Sequence, residues 1–210
     1  MRFRITFKKT NEAIYTSAID VHQIWERALR RAQLAVKYSE GFHPQPKIQV
    51  AVPLPLGFLG SNELIDVWFS KDYTIEDIFN RLSISLPDGF TVTKIEEIPE
   101  NQKALTGRIE SASYSVKIKD PHLSELSLDK SIKFMFEKES IIRHRNKKIY
   151  DLRPLIFSLK LEEHADQDTI IIMNLMASSG ASGRPDEILK ELGIDPALCE
   201  IERTQLFFKE

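Results

Sequence analysis

The chain has 210 residues, 42% of them apolar, with 29 basic side chains against 31 acidic ones, the balance of an ordinary soluble protein. No run of about 18 apolar residues occurs, which argues against a membrane-spanning helix. The single cysteine, Cys199, excludes an internal disulfide and a cysteine-ligated zinc or iron–sulfur site.

The N-terminal MRFRITFKKT alternates like a strand and lacks the apolar block and cleavage site of a signal peptide, so a cytoplasmic chain is expected. Charge is unevenly spread. Residues 1–50 hold nine basic and four acidic groups, and residues 51–100 hold three and nine. The pattern then recurs, with twelve and seven over 101–156 and five and eleven over 157–210. Two basic-then-acidic halves predict two modules.

In chain order, Phe3, Ile5 and Phe7 share one face of a first strand, and Lys8 to Glu12 reads as a turn. Ser17-Ala18-Ile19-Asp20 has capping-box spacing. The helix behind it buries Val21, Ile24, Trp25, Ala28, Leu29 and Ala32 along one stripe. Arg27, Arg30 and Arg31 fall on the opposite flank, where only Glu26 is close enough to neutralise them locally. Between Lys37 and Lys47 lies a loop clamped by Pro44 and Pro46, with Gly41, Phe42 and His43 at its tip. The clamp predicts fixed directions for an aromatic platform and an imidazole. Both rings could instead serve packing or loop capping.

Ile48, Val50 and Val52 alternate as a strand that Pro53 and Pro55 end. Gly57 to Asn62 reads as a turn, Glu63 to Phe69 as a strand, and Thr74 with Asp77 as a second capping box before an amphipathic helix. Phe90 to Ile95 closes a strand–helix–strand–strand–helix–strand unit, and Glu96 to Glu110 reads as a polar linker. From Ala112 the order begins again. Tyr114–Ile118 is a strand, Asp120-Pro121 starts a helix covering Leu128–Phe136, and Ile141–Asp151 is a hairpin turning near Asn146. Strands follow at Ile156–Leu161 and Thr169–Met176, then a Ser/Gly loop, a helix opened by Pro185, and a strand at Ile201–Phe208. The predicted fold class is therefore α+β: two tandem ferredoxin-like (βαββαβ) units over 1–98 and 110–210, the second with an extra hairpin.

Chemistry is concentrated in two basic stretches, the loop above and Arg143-His144-Arg145-Asn146-Lys147-Lys148 on the hairpin, which would project cations at phosphates or simply solubilise the tip. The five histidines, at 22, 43, 122, 144 and 164, show no metal-ligand spacing, and no nucleophile motif occurs. No metal and no cofactor are expected, and the motifs describe a binding surface rather than a reaction centre.

Glu26-Arg27-Ala28-Leu29-Arg30-Arg31-Ala32, Tyr38-Ser39-Glu40-Gly41-Phe42-His43-Pro44-Gln45-Pro46-Lys47-Ile48 and Pro53-Leu54-Pro55-Leu56-Gly57 together resemble the bacterial radical SAM-linked protein family, a domain of unknown function. Asp151-Leu152-Arg153-Pro154 and Arg184-Pro185 look like its later landmarks, whereas Ala18 stands where that family usually has histidine. Members occur beside, or fused to, radical SAM proteins, often encoded near ribonuclease and ribosomal-protein genes. The resemblance implies an accessory module that binds tRNA or rRNA for a radical SAM partner and is not itself the radical generator. Candidate contacts are Arg27, Arg30, Arg31, Lys37, Phe42, His43 and Lys47 in the first unit, with Arg143, Arg145, Lys147 and Lys148 in the second. The alternatives are an RNA-processing or RNA-modifying enzyme using His43 as general acid/base, with Tyr38 and Glu40 nearby, and a protein-docking scaffold that binds no RNA.

Overall fold

The computed structural model describes residues 1–119, 125–145, 148–163, 169–178 and 180–209, a mixed α/β chain that divides at Ile109–Glu110 into two units. In the first unit, alternation over Arg2–Lys9 gives strand β1. Helix α1 (Ala18–Arg31) begins where the Ser17 hydroxyl accepts from the Asp20 N–H and the Asp20 carboxylate accepts from the Ser17 N–H. Strands β2 (Ile48–Val50) and β3 (Leu59–Trp68) follow, then α2 (Ile75–Ser85), capped the same way by Thr74 and Asp77. Strand β4 (Phe90–Ile98) and a single turn, α3 (Leu105–Arg108), complete it.

Strand β1 lies between β4 and β3, antiparallel to both, and β2 pairs antiparallel with the last residues of β3 through Ile48↔Val67 and Val50↔Ile65. The order across the unit is thus β4-β1-β3-β2. One face of this sheet carries Phe3, Ile5, Phe7, Ile65 and Val67. It is sealed by Trp25 and Leu29 of α1 and by Ile78 and Leu82 of α2. Trp25 is fully buried with its ring edge-on to Phe7, 4.9 Å between centroids, the geometry aromatic quadrupoles favour.

The other face of β1 is buried too. Asp66 on β3 accepts from Arg4 Nε at 2.9 Å and from Arg2 Nη2 at 2.6 Å, and none of its side chain reaches solvent. Arg2 also donates to the Gln102 and Lys103 carbonyls and lies 4.5 Å over the Trp68 ring. The stretch expected to be a polar linker is therefore packed: β4 runs on to Ile98, Leu105 is fully buried, and Gln49 Oε1 accepts from the Leu105 N–H at 2.7 Å. Its backbone carbonyls serve the buried guanidinium while side chains such as Glu97, Glu100, Asn101 and Lys103 stay in solvent. The expected turn at Gly57–Asn62 also differs, since β3 begins at Leu59. Gly60 sits in the strand because the Glu63 side chain folds over it, where a Cβ would lie 2.7 Å from Glu63 Cγ.

The second unit comprises β5 (Ile109–Ile118), α4 (Glu125–Glu137), β6 (Ile142–Arg145), β7 (Lys148–Asp151), β8 (Ile156–Glu163), β9 (Thr169–Met176), α5 (Pro185–Glu191) and β10 (Cys199–Phe208). Its sheet order is β10-β5-β9-β8, with β5–β9 and β8–β9 antiparallel, and β6–β7 forms a separate hairpin. The Asp120-Pro121 helix start and the Asn146 hairpin turn lie outside the described residues.

Candidate functional site

The loop after α1 is held by its backbone as well as by its prolines. Lys37 N–H donates to the Trp68 carbonyl at 2.7 Å, Lys47 N–H to the Lys37 carbonyl at 2.7 Å, and Ser39 N–H to the Gln45 carbonyl at 2.8 Å. The Ser39 hydroxyl accepts in turn from the Gln45 N–H. These bonds make a two-stranded stem fixed to the end of β3. The tip beyond it turns at Gly41, whose φ of +125° a residue with a Cβ rarely adopts. Phe42 is completely exposed, at 103% relative accessibility, and His43 is exposed beside it in sequence. The packing role open to these rings is thereby excluded: neither is in the core.

Between α1 and this stem lies a groove of about 370 Å³. Glu26, Leu29, Arg30 and Gln33 line it at helical spacing from one side, and Tyr38, Pro46 and Ile48 line it from the other. The helix and the loop stem thus share one groove of the first unit. Tyr38, 57% exposed, is the aromatic wall of the groove.

The three arginines do not act together. Arg27 and Arg30 are exposed and make no ion pair among the described residues. Arg31 reaches across to the Ser85 carbonyl at the C-terminus of α2, where a cation is favoured. Lys37 is bound to Glu100 at 2.8 Å, a contact that raises its pKa. Hydrogen bonds from Lys37 and from the terminal ammonium hold the Glu100 carboxyl down to about 2. Lys47 is exposed on the loop stem.

In the second unit, Arg143 is only 21% exposed and is ion-paired to Glu187 and Glu191 of α5. Burial pushes the Glu191 carboxyl up, but hydrogen bonds from Lys138 and Arg143 outweigh it and leave it below the usual carboxylate range. His144, Arg145 and Lys148 are exposed, with Arg145 directly opposite Lys148 across the hairpin, a like-charge pairing that opposes pairing of the strands. Lys147 lies outside the described residues. Arg153 donates to the Phe136 carbonyl and rests 4.7 Å over its ring, and Asp151 accepts from the Ile141 and Arg153 N–H groups, so this landmark orders the hairpin base. No group of three or more metal-ligating side chains occurs among the described residues.

Glu26 and Gln33 are absent from the candidates read from sequence, and Tyr38 enters there only as a neighbour of His43 in the enzyme reading. Glu26 and Gln33 stand three or four residues from Arg30, which is the signal that could have found them. The groove supplies a cation, a carboxylate, an amide and an aromatic wall, enough to hold a planar polar ring linked to an anion.

A family model described as "Uncharacterized protein conserved in bacteria (DUF2344)" matches residues 2–185. No curated protein matches the chain. Among solved structures, one chain of a Cbf5-Nop10-Gar1 complex superposes with a TM-score of 0.54 at 10% identity, covering 99% of this chain and 50% of that one. A chain of the archaeal box H/ACA sRNP Nop10-Cbf5 complex gives 0.50 at 12% identity, covering 99% and 49%. The likeness is one of fold, and this chain spans about half the length of each.

Proposed function

We propose a function from the premise that this chain belongs to that bacterial family of uncharacterized proteins: it is an accessory module that binds structured RNA, tRNA or rRNA, and presents it to a radical SAM partner. The two units are read as tandem ferredoxin-like repeats, the second carrying the hairpin as its addition. The observation that carries the reading is the fully exposed Phe42 on a hydrogen-bonded stem that walls a groove bordered by Arg30, which has no ion-pair partner among the described residues. A solvent-facing aromatic on a rigid support is costly to expose and suited to stacking on an unpaired base, the usual mode of sequence-selective RNA recognition.

Arg27, Arg30 and Lys47 would supply phosphate contacts. Arg31, Lys37 and Arg143 contribute less, because Ser85, Glu100 and the α5 carboxylates already hold them. Arg145 and Lys148 form a second basic patch on the hairpin. A radical SAM partner is supported by the family likeness read from the loop motifs. RNA is further supported by a shared fold with a chain from an archaeal H/ACA sRNP.

The test is retention of RNA from lysate on the tagged full chain, followed by sequencing. Phe42→Ala should weaken binding of the recovered RNA by roughly tenfold while leaving the unfolding midpoint in place. Absence of any RNA, or retention unaffected by replacing Arg27, Arg30 and Lys47 with alanine, rejects the reading. Co-purification of a partner that resists ribonuclease, with no RNA bound, would favour the scaffold. One observation favours a catalytic reading: the exposed tip holds both His43 and Glu40 in solvent, an acid/base pair of residue types. In that case the chain alone cleaves or modifies RNA, and His43→Ala abolishes the reaction.

A further inference from the structure

Helix α1 ends in a Schellman motif. Leu34 N–H donates to the Leu29 carbonyl and Gln33 N–H to the Arg30 carbonyl, each at 3.1 Å. The residue after the cap must then take a left-handed conformation, and Gln33 does so with φ +55°. Glycine is the usual occupant, because a Cβ there meets the following carbonyl. A glutamine at this position costs stability, yet its side chain is placed on the groove wall. On the same wall, Glu26 has no ion-pair partner among the described residues although Arg30 stands one turn away, so its carboxylate keeps its accepting capacity.

We infer that this groove is a pocket for one unpaired guanine of the bound RNA, read by Glu26 and Gln33, stacked on Tyr38 and anchored by Arg30 on the adjoining phosphate. The inference deepens the RNA reading above and rests on it. Guanine is selected by the chemistry of its Watson–Crick edge. Its N1–H and N2–H are adjacent donors that match the two oxygens of one carboxylate. Cytosine and adenine each place a ring acceptor beside the amino group, which would face the second oxygen, and uracil offers one N–H between two carbonyls. The remaining O6 and N7 are both acceptors, and the side-chain NH2 of Gln33 can donate to them. Single-stranded RNA presents these edges freely.

The probe is a set of four RNA pentamers, UUGUU, UUAUU, UUCUU and UUUUU, bound to the full chain and followed by fluorescence anisotropy. UUGUU should bind about tenfold more tightly than the others. Glu26→Gln should abolish that preference with little change for UUUUU. Gln33→Gly should weaken UUGUU by a similar factor while the thermal midpoint rises by about 2 °C, because the strain at the helix end is relieved. A merely structural role for Gln33 predicts that same rise with no loss of binding. Equal affinity for all four pentamers, alongside retention of structured RNA, overturns the guanine pocket and leaves the RNA reading standing. No affinity for any RNA overturns both.

Discussion

At Asp66 two guanidinium groups meet one carboxylate with no solvent access, and every oxygen lone pair used there is directed at an N–H. Such a pair adds little net stability over an apolar replacement, but removing the carboxylate leaves two buried cations without their counter-charge. Asp66→Asn should therefore cost about 3–5 kcal/mol, read as a lower urea midpoint at unchanged slope; a loss under about 1 kcal/mol would contradict this account. Glu100 shows the opposite, solvent-screened case. Its folded pKa of about 2 lies below the ordinary 4.5, so its contribution is complete above pH 4.5 and fades as pH falls toward 2. Its carboxyl resonance should titrate near 2, move back toward 4.5 in Lys37→Ala, and become less shifted in high salt. An unmoved midpoint in that variant would refute the assignment. Neither contact is visible in sequence, where Arg2 and Asp66 are 64 residues apart and Lys37 and Glu100 are 63 apart.

At the scale of elements, local chemistry carries most of the information. Both helix starts follow from four-residue patterns, Ser17 to Asp20 and Thr74 to Asp77, because a capping box is closed within one turn. Ser17→Ala and Thr74→Ala should each cost about 1 kcal/mol in urea unfolding, and the double variant their sum, since the two caps share no partner. A strongly non-additive pair would imply that α1 and α2 depend on each other beyond their packing. The helix end was less legible. A glutamine gives no stop signal, and only the backbone bonds of Leu34 and Gln33 show where α1 turns. The same holds for the stretch after β4. Its polar side chains read as a linker because the contact that fixes it, Arg2 on the Gln102 and Lys103 backbone carbonyls, comes from the far end of the unit in sequence.

For the molecule as a whole, charge windows indicated two basic regions but not which cations are available. Ion pairing removes Lys37 and Arg143 and leaves Arg27, Arg30, Lys47, Arg145 and Lys148 in solvent. Replacing Arg27, Arg30 and Lys47 together by alanine should reduce the slope of log affinity for single-stranded RNA against log salt by about 2, at about 0.7 per phosphate contact. Arg143→Ala should leave that slope nearly unchanged and lower stability instead. Equal effects from the two sets would show that ion pairing to α5 does not govern availability in solution.

The sequence by itself determined where most strands lie, both capped helices and the stiff loop with Phe42 and His43, because each depends on neighbours within a few residues, while the early start of β3, the late end of β4 and the α3 turn came only with the packing. Tertiary structure decided which polar groups are buried, which arginines are already partnered, and that Glu26, Gln33 and Tyr38 share a groove. Those outcomes depend on distances between residues far apart in the chain, which only the packing of α1 and the loop stem against the sheet brings about.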